Sequence, residues 1–213
     1  MSMIASVLHL DRKAIRDLKV TDCYSVHRVV YSLFDDVRND AQKITSESSG
    51  ILFADQGYTQ DGRRILLLAD RAPRDGIDGA VVDIRSLSIS DDFLGHDQYR
   101  FKVIVNPTRR SSISKALVPI KGEEAIAQWF VERASSSWGF AVNPANLSVG
   151  PVKVARFQEK ANRQVTIAQA HIEGVLSVVD HEQLSHSFRH GIGRARAWGC
   201  GLLQLTSVSH RTH

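Results

Sequence analysis

Gly191-Ile192-Gly193-Arg194-Ala195-Arg196-Ala197-Trp198-Gly199-Cys200-Gly201-Leu202-Leu203 sets the reading of this chain. Four glycines, Gly191, Gly193, Gly199 and Gly201, fall within eleven residues, with Arg194, Arg196 and Trp198 between them. Glycine takes a positive φ without strain and lets a second backbone approach. Such a loop suits a phosphate backbone laid against main-chain N–H groups, with two guanidiniums beside it. Upstream, Asp180 caps a helix to about His190; downstream, Leu202 to Leu205 reads as a buried strand. The order is helix, glycine loop, strand. A dinucleotide fingerprint runs from strand to helix and needs glycine where Arg196 stands. A Walker loop needs Gly-Lys-Ser/Thr, which is absent. The plain alternative is a tight loop holding a helix against a strand.

The rest of the chain is globular in character. Its 213 residues are 43% hydrophobic and 23% charged, enough to bury a real core as one large or two small domains. Two cysteines, Cys23 and Cys200, make no disulfide framework and point to a reducing compartment. No basic region followed by an apolar run opens the chain, and the longest aliphatic run, Ile65 to Ala69, is far too short to span a membrane. The expected location is the cytoplasm, with no membrane partner. The net charge of +4 divides unevenly: residues 1–99 carry −4 and residues 100–213 carry +8. A basic half is the electrostatic footprint of a nucleic-acid binder.

Met3 to Leu10 reads as a first strand. Thr21 or Asp22 can cap a helix running to about Val37. At about 100° per residue, Val26, Val29, Val30, Leu33 and Val37 share one stripe, suited to packing on a sheet. Tyr24, Arg28 and Tyr31 take the opposite side, with His27 at its flank. Imidazole titrates near neutrality and can take or give a proton at physiological pH. A histidine beside a tyrosine is also an ordinary surface or core pair. Residues 39–49 read as a loop. Gly50 to Asp55 and Arg63 to Asp70 read as strands joined by a turn at Asp61-Gly62. Ala80 to Ile89 alternates weakly; Tyr99 to Val105 alternates well and ends at Asn106-Pro107. That succession fits a ferredoxin-like (RRM-like) unit over residues 1–110.

Residues 111–213 repeat the plan. Ala116 to Ile120 reads as a short strand and Glu123 to Ser135 as a helix. Leu147 to Phe157 and Val165 to Val178 read as strands around a hairpin tip, Gln158 to Arg163. The fold class expected is α+β, with two tandem ferredoxin-like domains. Lys153, Arg156, Lys160 and Arg163 stud the second hairpin, which can grip phosphates or enter a groove. Six basic residues and no acidic one lie between Arg100 and Lys121, among them Arg109 and Arg110. His186 and His190 are four apart on the last helix, but no HExxH, cysteine pair or carboxylate partner accompanies them, so no metal and no cofactor is expected.

Taken together, the glycine loop, the stretch Phe101-Lys102-Val103-Ile104-Val105-Asn106-Pro107-Thr108 and the helix with Tyr24-Ser25-Val26-His27-Arg28 have a recognisable order. The chain resembles the CRISPR-associated CasE-type endoribonucleases, the repeat-RNA-processing subunit of type I-E Cascade, over essentially its whole length. The resemblance implies two ferredoxin-like domains that bind the stem-loop of the CRISPR repeat in precursor RNA. It implies metal-independent cleavage at the 3′ base of the stem by 2′-OH attack, leaving a 2′,3′-cyclic phosphate and a 5′-OH. It also implies that the product is retained as crRNA beside other Cascade subunits. By motif match, His27 takes the catalytic histidine position and Tyr24 the accompanying tyrosine, with Arg28 a basic neighbour. The glycine loop, with Gly191, Gly193, Arg194, Arg196, Gly199 and Gly201, helps shape the RNA surface, and the basic hairpin sits against the stem. The residues leave open whether His27 is base, acid or positioner. A subunit that holds a processed guide RNA without cutting it is the other reading.

Overall fold

The computed structural model describes residues 3–39, 49–159 and 163–208. The expected 39–49 loop therefore lies almost wholly outside the described residues, as do Lys160 and the tail from Ser209 to His213.

The first unit runs β1 (Ile4–Asp11), α1 (Arg12–Asp17), α2 (Cys23–Ser32), β2 (Ile51–Thr59), β3 (Gly62–Ala69) and β4 (Asp83–Ser88). Its sheet has the order β2-β3-β1-β4, every neighbour antiparallel. Strand periodicity of two gives the sheet two different faces. Leu8 and Leu10 of β1 and Ile65, Leu67 and Ala69 of β3 are buried with Val26, Val29 and Val30 of α2 in one core. Leu52 and Ala54 of β2 and Leu68 of β3 belong instead to the core of the second unit. The first sheet is thus packed on both sides over part of its area.

Helix α2 begins as its sequence demands. The Asp22 carboxylate accepts from Ser25 N at 2.8 Å, while the Asp22 N–H donates to Ser25 Oγ at 2.8 Å, a reciprocal cap. It ends at Ser32 rather than near Val37. Arg74 N takes the Leu33 carbonyl at 2.7 Å, and the Arg71 guanidinium donates to Asp35 O at 2.9 Å and lies over the Phe34 ring. The segment after β3, irregular in sequence, thus fixes the end of the helix that carries His27. Val37, expected on the apolar stripe, is exposed.

The second unit contains β5 (Gln98–Val105), β6 (Thr108–Arg110), β7 (Leu117–Pro119), α3 (Glu123–Ser137), β8 (Phe140–Val142), β9 (Ser148–Val149), β10 (Lys153–Gln158), β11 (Gln164–Val178), α4 (His181–His190) and β12 (Gln204–Ser207). The main path of its sheet is β10-β11-β5-β12, with β8 and β9 also pairing β11. Counted along the chain, each unit places its third strand between its second and first and its fourth outside the first. That is the strand order of a ferredoxin-like unit. The architecture is α+β, with two such domains.

One strand moves relative to the expectation. Tyr99 to Val105 read as the last strand of the first unit, yet β5, which contains it, is hydrogen-bonded between β11 and β12 in the second sheet. The change of sheet falls between Ser88 and Gln98, not at residue 110. Packing explains it: Tyr99, Phe101, Val103 and Val105 are buried with Ile126 and Phe130 of α3, and the Phe101 and Phe130 rings stack 5.6 Å apart. The opening strand of the second unit, expected over Ala116 to Ile120, is Leu117–Pro119 and among the described residues pairs only with β6. Its residues have no buried face to contribute. The expected strand from Leu147 to Phe157 is broken around Pro151, which has no N–H to give a ladder.

Candidate functional site

The two units meet where α2, β10 and the glycine loop converge. The loop runs from the end of α4 to β12 and contains a short turn of 3₁₀ helix, Arg196–Trp198. Its ends are closed on themselves: Ile192 N donates to Gly201 O at 2.9 Å, and Gly201 N donates to Ile104 O of β5 at 2.7 Å. The Arg196 guanidinium donates to His190 O at 2.8 Å, satisfying a carbonyl at the helix end. Across the loop, the Gln169 side chain of β11 donates to Trp198 O at 3.2 Å. Cys200 is fully buried here, and burial pushes its thiol pKa up to about 12, so it stays protonated.

His27 sits on this loop. Its Nδ1 lies 2.8 Å from the Ala197 carbonyl oxygen, a contact spanning 170 residues of sequence. A carbonyl oxygen only accepts, so Nδ1 carries the hydrogen and Nε2 of the neutral ring carries a lone pair. Aromatic rings surround the imidazole: Tyr31 at 4.1 Å, Trp198 at 4.8 Å and Tyr24 at 6.4 Å between centroids. Phe157 of β10 supports Trp198 from its other partners, at 4.7 Å. Burial lowers the His27 pKa below its usual 6.5, against smaller opposing effects of the Ala197 carbonyl and Glu159. The ring is therefore neutral at pH 7 and can accept a proton at Nε2.

The sequence-predicted residues fall into separate groups. Tyr24, His27 and Arg28 share α2; Arg28 is exposed, with its guanidinium 6.0 Å from the Tyr24 ring. Gly191, Gly193, Arg194, Arg196, Gly199 and Gly201 are the loop on which His27 rests, and Arg194 is exposed. Lys153 and Arg156 are exposed on β10, which packs against α2. Arg163 precedes β11 and donates to Glu159 at 2.7 Å. Lys160 lies outside the described residues. Arg109 and Arg110 are exposed on the β6–β7 hairpin, and the Arg110 guanidinium donates to Lys115 O at 2.9 Å. Among the described residues that hairpin has no hydrogen bond or ion pair to α2 or the glycine loop.

His186 and His190 stack at 4.3 Å on α4, and the His190 ring is bonded to His186 O through Nδ1. Among the described residues no three His, Cys, Asp or Glu side chains converge as a metal-binding set. No helix among them is long and apolar enough to cross a membrane. Sequence reasoning gave no role to Trp198, Phe157 or Gln169. Trp198 alone had a signal, as the one aromatic residue among the loop glycines.

Fold and site together define a tandem ferredoxin-like protein whose helical histidine is held by a glycine-rich loop of the second unit. A family model described as CRISPR associated protein matches residues 3–206, and the chain belongs to that family. A solved structure of CRISPR endoribonuclease Cse3 bound to 19 nt RNA aligns over 97% of this chain and 100% of that one, with a TM-score of 0.80 at 19% identity. The CRISPR-associated protein Cas6e from Escherichia coli str. K-12 aligns over 96% and 100%, with a TM-score of 0.68 at 21% identity. A chain of a CRISPR RNA-guided surveillance complex aligns over 98% and 100%, with a TM-score of 0.66 at 21% identity. At these identities the likeness is one of fold. No curated protein matches the chain in sequence.

Proposed function

We propose that this protein is a metal-independent endoribonuclease that binds the stem-loop of a CRISPR repeat in precursor RNA and cuts at the 3′ base of the stem. The observation that carries the reading is the His27 ring, neutral, with Nδ1 tied to the Ala197 carbonyl and Nε2 left to accept a proton. In the step proposed, Nε2 takes the proton of the 2′-OH as that oxygen attacks the adjacent phosphorus. The P–O5′ bond breaks and the departing oxygen takes a proton from solvent or from the imidazolium. The products are a 2′,3′-cyclic phosphate and a 5′-OH. The Tyr24 hydroxyl and the Arg28 guanidinium share the helix with His27 and can donate to the phosphorane, where charge develops. Exposed cations on β10 and in the loop, Lys153, Arg156 and Arg194, supply a surface for the RNA backbone. The fold relatives bound to RNA and built into a surveillance complex support retention of the product as crRNA among other Cascade subunits.

The test is a 5′-labelled repeat hairpin incubated with the protein in EDTA. One cut below the stem, ending in a cyclic phosphate, is the expected result. RNA left intact but tightly bound would make the protein a guide-RNA holder instead, and cleavage restored only by a divalent ion would reject metal independence. Binding itself is expected to weaken steeply with salt, because lysine and arginine displace counterions from phosphates. Replacing Arg156 by Gln should reduce the slope of log affinity against log salt by about one. An unchanged slope would remove Arg156 from the interface.

A further inference from the structure

Three features of the site converge on one backbone segment. The Ala197 carbonyl accepts from His27 Nδ1; the Trp198 ring covers the imidazole; and Gln169, from the far strand β11, donates to Trp198 O. Phe157 and Tyr24 flank Trp198 at 4.7 and 6.2 Å, and Gly199 packs against the Phe53 ring of the first sheet. The loop is therefore anchored to both units at the point where it meets His27. Arg196, spent on the end of α4, holds the same turn from its other side.

We infer that the glycine-rich loop is a tautomer clamp, in which Trp198 and Gln169 are positioning residues that fix His27 with its Nε2 lone pair toward the RNA. This rests on the nuclease reading above for its consequence, but the clamp itself is a property of the free protein. Rotation of the ring about χ2 would lose the Ala197 bond. The alternative tautomer would place a lone pair against a carbonyl oxygen, which is repulsive. Ring orientation and proton position are thus chosen before substrate arrives, as electrostatic preorganisation requires. A loop that merely gripped phosphates would have no need of an aromatic ring on the imidazole or of an amide from β11.

Other charges near His27 do not account for the arrangement. On its own helix Arg28 lies over Tyr24, and Tyr31 is bonded to Ser49 at 3.0 Å. Beneath the helix Asp55 pairs with Arg63. On and beyond β10 lie Lys153, Arg156 and Glu159, and Glu159 is paired with Arg163. In the loop, Arg194 is exposed and Arg196 is bonded to His190 O. Glu159 alone among these acts on the ring, and it favours the charged form.

The experiment is nitrogen-15 NMR of the histidine rings across a pH titration, on the free protein, with His27→Gln to assign the signal. The expected wild-type result is the Nδ1–H tautomer, titrating below the ordinary 6.5. Trp198→Ala removes the cover, so the titration moves up toward that value and the tautomer preference weakens. Trp198→Phe keeps both. Gln169→Leu keeps the ring covered but frees the Trp198 carbonyl, one residue past the acceptor of His27, and roughly tenfold loss in kcat with KM unchanged is expected on repeat RNA. With Trp198→Ala the acidic limb of the kcat/KM profile shifts upward with the NMR titration. A wild-type ring found as the Nε2–H tautomer would overturn the clamp without recourse to any variant. So would a folded Trp198→Ala protein whose His27 titrates as in wild type. Should wild-type protein show the Nδ1–H ring yet cut no RNA, the clamp stands and the nuclease reading falls; cleavage by a protein with an Nε2–H ring gives the reverse.

Discussion

His27→Ala is expected to reduce cleavage of the repeat hairpin by roughly 10³-fold while RNA affinity stays within about threefold of wild type. The two effects separate because the two tasks use different atoms. Proton transfer at the 2′-OH needs one basic nitrogen, and the His27 imidazole is half-buried among Tyr24, Tyr31 and Trp198 where α2 meets the glycine loop. On the proposed reading, affinity comes from the exposed cations Lys153 and Arg156 of β10 and Arg194 of the loop, and loses little when a neutral ring is removed. Residual cleavage in the variant reports what orientation and phosphorane stabilisation supply by themselves. Single-turnover kinetics with labelled RNA, beside a filter-binding titration, give both numbers. Full activity in His27→Ala would reject the assignment. Loss of binding in equal measure would make His27 an RNA contact rather than the proton acceptor.

The pH dependence follows in sign from the same site. Folding holds His27 below its ordinary pKa through burial, so the fold favours the neutral ring. Its contribution to stability is fully present above about 6.5 and is lost as pH falls through the lower folded value. Cleavage that depends on neutral His27 fails over the same acidic range, so a base role and the fold's own preference point the same way.

How much of this was written in the sequence depends on range. Asp22 and Asp180 announce their helices, because a cap is a local bond between a side chain and an N–H three residues on. The amphipathic stripe of α2 is local too: Val26, Val29, Val30 and Leu33 are buried as read, while Val37 lies beyond the helix end and is exposed. The order helix, glycine loop, strand also stands. The sheet that claims Tyr99–Val105 was not legible. Strand alternation says that one face is buried and not against what. Here Ile126, Phe130 and Phe140 cover it, from 20 to 40 positions downstream. The acceptor for His27 was still less visible. It is a backbone carbonyl, which carries no residue identity, and any residue at position 197 would present one. Trp198 and Gln169 matter only once the two units close on each other.

Gly201→Ala should destabilise the protein by about 2–4 kcal/mol and lower its thermal midpoint by roughly 5–12 °C. Gly201 has φ +87, and a Cβ there would stand 2.4 Å from the Ile192 carbonyl oxygen, a backbone atom with no rotamer by which to retreat. The same Ile192 donates its N–H to Gly201 O, so relief of the clash opens the ladder that closes the loop. Gly193 supplies the comparison. Its φ is +70, but a Cβ there meets nothing within 4 Å, so Gly193→Ala costs only the conformational penalty, roughly 1 kcal/mol. If the glycines served only to let an RNA backbone approach, the two substitutions would be alike in stability and differ only in affinity. If the loop is a built support, they separate by thermal melting without any RNA, and Gly201→Ala also loses cleavage as Ala197 drifts from His27. Misplacement of a reacting group by about 1 Å costs on the order of 10²-fold. Equal melting of the two variants would remove the structural argument for the loop, and with it the reason that His27 is found where it is.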